Sequence, residues 1–91
     1  MTPEQIKTKV KEAFSGVDSE EFLQEQIKIG IQKHRKNYEI FKENNPEKDF
    51  IFWKTKNEEI NINTTNNQEI MAMGIFLLAL DEFEKTILYG K

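Results

Sequence analysis

The residues of this chain that could do acid–base or metal chemistry are few. His34 is its only histidine, and it has no cysteine. A zinc or catalytic site needs several converging ligands or a nucleophile beside a base, and no such partners stand at ligand spacing from His34. His34 lies between Ile31 and Tyr38 on an apolar helical stripe, which favours a structural histidine, with pH-sensitive packing as the intermediate alternative. We therefore predict no metal and no cofactor.

Three carboxylates, Asp81, Glu82 and Glu84, stand close together in the sequence. Paired carboxylates can act as general acid and base, but only where an apolar pocket raises the pKa of one of them. These three end an apolar run on an exposed part of the last predicted helix, so we interpret them as surface residues. Because no nucleophile–base pair is visible either, the chain is predicted not to be an enzyme.

A basic run lies in the second half of the second predicted helix. Its members are Lys28, Lys33, Arg35, Lys36 and Lys42, opposed by Glu39. Basic residues beside Tyr38 and Phe41 could contact phosphates or nucleic acid. However, Lys33 and Lys36 lie away from the main apolar stripe, as on a solvated face. The net charge of −3 also argues against a general nucleic-acid binder.

Capping signals predict three helices. Thr2, Pro3 and Gln5 start the first, over about 3–15. Asp18 starts the second, which ends at Asn44 before a proline. Thr65 starts the third, which runs to Leu88.

The second helix carries two apolar stripes. The main stripe has three- and four-residue spacing and comprises Leu23, Ile27, Ile31, His34, Tyr38 and Phe41. A thinner stripe of Phe22, Ile29 and Ile40 lies roughly 130° away. It packs on the first helix or meets a partner. With Lys33 and Lys36 it forms the candidate interaction surface.

The segment between the last two helices has the composition of a β-hairpin. Residues 50–53 are aromatic and β-branched and predict a strand, the turn follows at Asn57, and residues 59–63 alternate as a half-exposed strand. Trp53 and its neighbours could form a ligand platform, but the alternation favours a role in the core.

The uncharged stretch of residues 70–80 is predicted to form the centre of the core. In this stretch Met71 and Met73 fill gaps, and Phe76 and Leu80 are expected to be among the most buried residues. The stretch is too short to span a bilayer. The predicted fold class is α+β: one domain, residues 1–91, in the order α-α-β-β-α, with a two-stranded antiparallel hairpin packed on the C-terminal helix.

The C-terminal part of the chain resembles a small domain of phage and prophage proteins, often found near the C-terminus of tail-fibre-related chains. The resemblance depends on a Trp in a first strand, an Asn turn, an alternating second strand and a Thr-started helix with an early acid. The corresponding residues are Trp53, Asn57, Ile60, Ile62, Thr65 and Glu69. The resemblance implies no catalytic residues.

The leading functional prediction is a non-enzymatic phage or prophage protein that acts through protein–protein contacts, in tail association or assembly. The alternative is a small phage-encoded inhibitor or sponge that binds a host defence protein or a small anionic ligand. The N-terminus has no apolar run typical of a signal peptide, so we expect a protein of the bacterial cytoplasm or one associated with the virion. Spare apolar surface and free strand edges predict a homodimer or higher homo-oligomer.

Overall fold

The computed structural model describes residues 2–59 and 66–90. Within these ranges the chain is helical and contains no strand. The helices are α1 (Pro3–Ala13), α2 (Val17–Asn44), α3 (Phe50–Glu58) and α4 (Asn67–Leu88). The α+β prediction is therefore wrong: the described residues form a small all-helical domain.

The predicted first strand is helix α3. Asp49 caps it by accepting a hydrogen bond from the Phe52 backbone N–H at 2.9 Å, and Phe50 and Trp53, three residues apart, are both buried. That spacing places both rings on one face of a helix, so tertiary packing overrides the β-propensity of the segment.

The rest of the predicted hairpin is also not a hairpin where the structure describes it. Asn57 does not lie in a turn, because it belongs to α3 and its side-chain amide donates to the Trp53 carbonyl at 2.8 Å. Glu59 is the C-cap of α3. Residues 60–65, which include the rest of the predicted second strand and the predicted cap Thr65, lie outside the described residues. The N-cap of α4 is Asn66, which accepts from the backbone N–H groups of its first turn.

The ends of the first two helices are close to those predicted. The capping box between Thr2 and Gln5 is present, but α1 ends at Ala13, two residues early. Helix α2 begins at Val17 with Gly16 at the N-cap and no side-chain cap, so the prediction that Asp18 caps it is wrong. Helix α2 ends at Asn44, as predicted, and Asn45 is its C-cap immediately before a proline.

Helix α4 is the centre of the fold, and α1 and α2 both pack along it. Leu77, Leu80 and Phe83 are almost completely buried, as expected for a helix that is apolar on several sides. Leu80 thus confirms its predicted place in the core, whereas Phe76 is only half-buried and that prediction is wrong.

An aromatic cluster joins α2 and α3 to the C-terminal half of α4. The Tyr38 ring lies 5.2 Å from the Trp53 ring, and the Phe83 ring lies 5.8 Å from Trp53, measured between centroids. Edge-to-face contacts of this kind add to the hydrophobic gain of burial. Together with the ion pair between Lys54 and Glu84, they position α3 on α2 and α4.

The Cα atoms span 41 × 32 × 18 Å, and the smallest dimension corresponds to about two layers of helices. Each helix in such a slab keeps one side on the outside. Within the described ranges, no helix combines the length and apolar character needed to cross a membrane.

Candidate interaction surface

The outer face of α2 is defined here by Phe22, Ile29, Lys33, Lys36 and Ile40. At about 100° per residue, all five fall within roughly 40° of one line along the helix. From first to last they extend about 27 Å. All five are exposed. The three apolar side chains are 53%, 46% and 49% exposed in chain order, so the whole candidate surface predicted from the sequence faces solvent.

The opposite face of α2 packs on the core. Leu23, Ile27 and His34 are buried, and a Cβ added at Gly30 would come within 2.6 Å of the Ala79 Cβ. This glycine therefore permits the close approach of α2 and α4. Because the main stripe lies against α4, the outer face cannot contribute to the core of the same chain.

One residue of the outer face has a neighbour on the segment that follows α1. The Phe22 ring stacks on Phe14 with 5.8 Å between centroids, but more than half of Phe22 remains exposed. Packing against Phe14, at the end of the first helix, thus accounts for the part of the Phe22 side chain that is buried. Ile29 instead lines a shallow depression of about 260 Å³, together with Lys28, Ile31 and Gln32.

The charges of α2 are divided along its length. Residues 17–27 contain four acidic residues and no basic one: Asp18, Glu20, Glu21 and Glu25. Residues 28–44 contain five basic residues against two acidic ones, Glu39 and Glu43. The helix macrodipole favours this order in the first and last turns only. It does not explain the positions of Glu25, Lys33 and Lys36, which lie farther in.

The basic run of α2 does not converge on one site. Arg35 lies over the Phe83 ring, 5.8 Å from its centroid, and Lys42 donates to the Lys48 carbonyl at 2.6 Å. Both therefore help to hold the fold. Lys33 and Lys36 are exposed and form no ion pair with any described residue, which leaves two ammonium groups on the outer face.

His34 is a core histidine. Its Nε2 lies 3.0 Å from the Phe76 carbonyl oxygen, and because a carbonyl only accepts, Nε2 must carry the hydrogen. Its Nδ1 is buried and has no hydrogen-bond partner among the described residues. Burial lowers the pKa of His34, and the hydrogen bond to Phe76 offsets only part of this effect. Neutral imidazole is thus the form that the fold favours.

No described group of three or more histidine and carboxylate side chains could hold a metal ion. The three carboxylates singled out from the sequence face different lysines. Asp81 lies 2.7 Å from Lys7, Glu82 lies 2.8 Å from Lys85, and Glu84 lies 3.5 Å from Lys54. Each therefore forms an ion pair with a different lysine, although all three line the same cleft between α4 and its neighbours.

Two of these lysines, Lys7 and Lys54, hold helices on α4 and were not singled out from the sequence. Burial lowers the pKa of Lys7, but its hydrogen bonds to Asp81 and Glu4 outweigh this and raise it. The pKa of Lys54 is raised in the same way, chiefly by Glu58. The four-residue spacing of Lys54 and Glu58 would have been a signal in a helix, but the segment was interpreted as a strand and a turn.

Other exposed apolar residues are less suitable as a contact surface. On α3, Phe52 is 39% exposed, and Lys48 and Lys56 place their ammonium groups 4.6 and 5.7 Å from its ring centroid. These lysines cover much of the ring. Leu88 and Tyr89 lie near the end of the described chain and line a cleft of about 580 Å³ that they share with charged residues of α1 and α4. The outer face of α2 is more extended than either.

Comparisons with protein-family models, with curated proteins and with solved structures find no match. The resemblance to a phage domain therefore stays a prediction. Two residues on which it depends, Trp53 and Asn57, lie in α3, where the pattern requires a strand and a turn.

Proposed function

We propose that this chain is a non-enzymatic protein that acts through protein–protein contacts made by the outer face of α2. The observation that supports this proposal most is the exposure of Phe22, Ile29 and Ile40 along one line of a helix whose other face is buried. Aligned apolar residues that remain exposed are typical of interaction sites, whereas single exposed apolar residues are ordinary.

The charged residues of the same face agree with this function. Lys33 and Lys36 lie between and beside the apolar residues, where charged groups fix the register and the choice of partner more than they add affinity. A role in phage tail association or assembly, in the cytoplasm of a bacterial host or on the virion, is the biological setting we propose. A sponge for a small anion is less well supported, because Arg35 and Lys42 are used within the fold.

Affinity capture from the source cell tests the contact surface. The tagged chain is compared with Ile29→Lys/Ile40→Lys, which places two charges in the apolar line. We expect the variant to lose proteins retained by the unaltered chain, whether they are other proteins or untagged copies of the same chain. Thr8→Lys, at an exposed position of α1, is the matched control and should retain them.

Far-UV circular dichroism must show that the double variant keeps its helicity, which is expected because neither side chain is buried. If the variant retains the same proteins as the unaltered chain, the outer face of α2 is not the contact surface and the proposed function is wrong.

A further inference from the structure

We infer that the outer face of α2 binds the same face of a second copy of this chain, with the two α2 helices antiparallel. This inference rests on the proposed function, since it names the partner of that surface. It is carried by the order of the residues along the face and by the division of charge along α2.

Ile31 lies midway along α2 between the outermost apolar residues of the face. Phe22 lies nine residues before this level and Ile40 nine residues after it. In an antiparallel pair centred there, Phe22 of each copy lies opposite Ile40 of the other. Ile29 lies opposite Lys33 of the other copy, whose aliphatic stem can cover it while the ammonium stays in water. A twofold axis makes every such contact twice.

The charges favour the antiparallel direction. An antiparallel pair centred on Ile31 places the acidic residues 17–27 of one copy beside residues 35–45 of the other, which contain three basic and two acidic residues. A parallel pair would instead place residues 17–27 of the two copies side by side, acid beside acid, which is less favourable. The apolar line supplies the area that is removed from water.

One pair of charges across the proposed contact is particularly close. In this register Lys36 lies opposite Gln26 of the second copy, immediately beside its Glu25. By the 100° rule Lys36 and Glu25 lie on the same edge of the face, so the symmetric pair forms two Lys36–Glu25 contacts. Within the described part of its own chain, the ion pair of Glu25 is a long 4.0 Å contact with Lys28, and both side chains are well exposed. Glu25 therefore remains able to pair with another lysine.

The test is a charge exchange followed by molar mass in light scattering and by sedimentation equilibrium at micromolar concentration. The unaltered chain should have twice the 10.8 kDa mass of the monomer. Glu25→Lys and Lys36→Glu should each raise the dissociation constant about tenfold or more, since each replaces two attractions by two repulsions. The combined variant Glu25→Lys/Lys36→Glu restores opposite charges and should recover most of the affinity.

The matched controls are Lys9→Glu and Glu12→Lys on α1, which change the net charge equally at exposed positions and should leave the mass at the dimer value. A dimer that both single exchanges leave unaffected overturns the antiparallel register. A monomer of the unaltered chain overturns the inference as a whole. A monomer does not decide the capture experiment, because the outer face can still bind a different protein. The variant Ile29→Lys/Ile40→Lys should then fail to retain that protein.

Discussion

His34 is buried, and its Nδ1 has no hydrogen-bond partner among the residues that the structure describes, which makes the fold sensitive to pH. The unfolded chain takes up a proton near its ordinary pKa of 6.5, whereas burial lowers the pKa of the folded form. Below about pH 6.5 the unfolded state therefore binds more protons than the folded state, so the stability of the fold decreases as the pH decreases. The contribution is fully present above pH 6.5 and is lost as the pH falls through the lowered pKa of the folded chain.

We expect the urea midpoint of the protein to be lower at pH 5.5 than at pH 7.5. His34→Gln keeps an amide that can donate to the Phe76 carbonyl, but it does not titrate, so its midpoint should depend less on pH in this range. Equal pH dependence in both proteins would show that another group is responsible.

Gly74 marks the closest approach of α1 and α4. A Cβ at this position would clash with the Val10 side chain, whose own Cβ would be 2.9 Å away. An exposed helical Gly→Ala change normally stabilises by about 1 kcal/mol. Here Gly74→Ala should lower the urea midpoint instead, because Val10 is completely buried and its β-branched side chain has little freedom to move.

The control for this prediction is a double-mutant cycle with Val10→Ala, which removes the clashing methyl groups. The double variant should lose less unfolding free energy than the sum of the losses in the two single variants. If the two losses simply add, α1 moves aside as a whole to make room for the added methyl group.

At the scale of residues, the sequence predicted burial better than pairing. The main stripe of α2 predicted His34 as a core residue, because three- and four-residue spacing places side chains on one face. The pairing of Lys7 with Asp81 was beyond prediction, since Asp81 lies far along the chain and meets Lys7 only when α1 packs on α4.

At the scale of elements, α4 stabilises the fold by contact with all its neighbours. Leu80 is fully buried and packs with Phe50, Trp53 and Phe83. Leu80→Ala should cost about 2–5 kcal/mol of unfolding free energy, because the cavity left behind cannot close completely. The matched control is Leu88→Ala on the same helix, where the side chain is 49% exposed and the loss should be much smaller. Urea titration measures both, and an equal cost would show that the core is placed wrongly.

The error in fold class arose at one short element. Residues 50–53 have the composition of a strand, and a run this short carries too little periodicity to distinguish a strand from a helix. The deciding interactions are the Asp49 cap and the contacts of Trp53 with Tyr38 and Phe83. The Asp49 cap could have been recognised in the sequence. The ring contacts of Trp53 could not, because they depend on the positions of α2 and α4 in the fold.

At the scale of the whole molecule, the arrangement of helices determines which surface remains for a partner. Helix α2 buries one face against α4 and has no described helix on its other side. The sequence indicated a second apolar stripe on α2, about 130° from the first, and its residues are exposed. Coverage of this outer face by a second copy depends on contacts between two chains. The pattern of residues in one chain favours such contacts but does not fix them.

The proposed antiparallel pairing of two α2 helices through this face is tested by a distance between spin labels. The chain has no cysteine, so one introduced cysteine carries one label per copy. Gln32 and Glu43 lie on the same edge of the face and are both exposed. Labels at Gln32 should be about 10 to 20 Å apart, because the site lies next to the centre of the pair. Labels at Glu43 should be separated by about 36 Å along the helix axis.

A short distance at both positions would mean a parallel pair. A distance that is long at Gln32, or no dipolar coupling at either position, would mean that the copies do not meet through the outer face of α2. Either result contradicts the account, and a short distance at Gln32 with a long one at Glu43 is the result that it predicts.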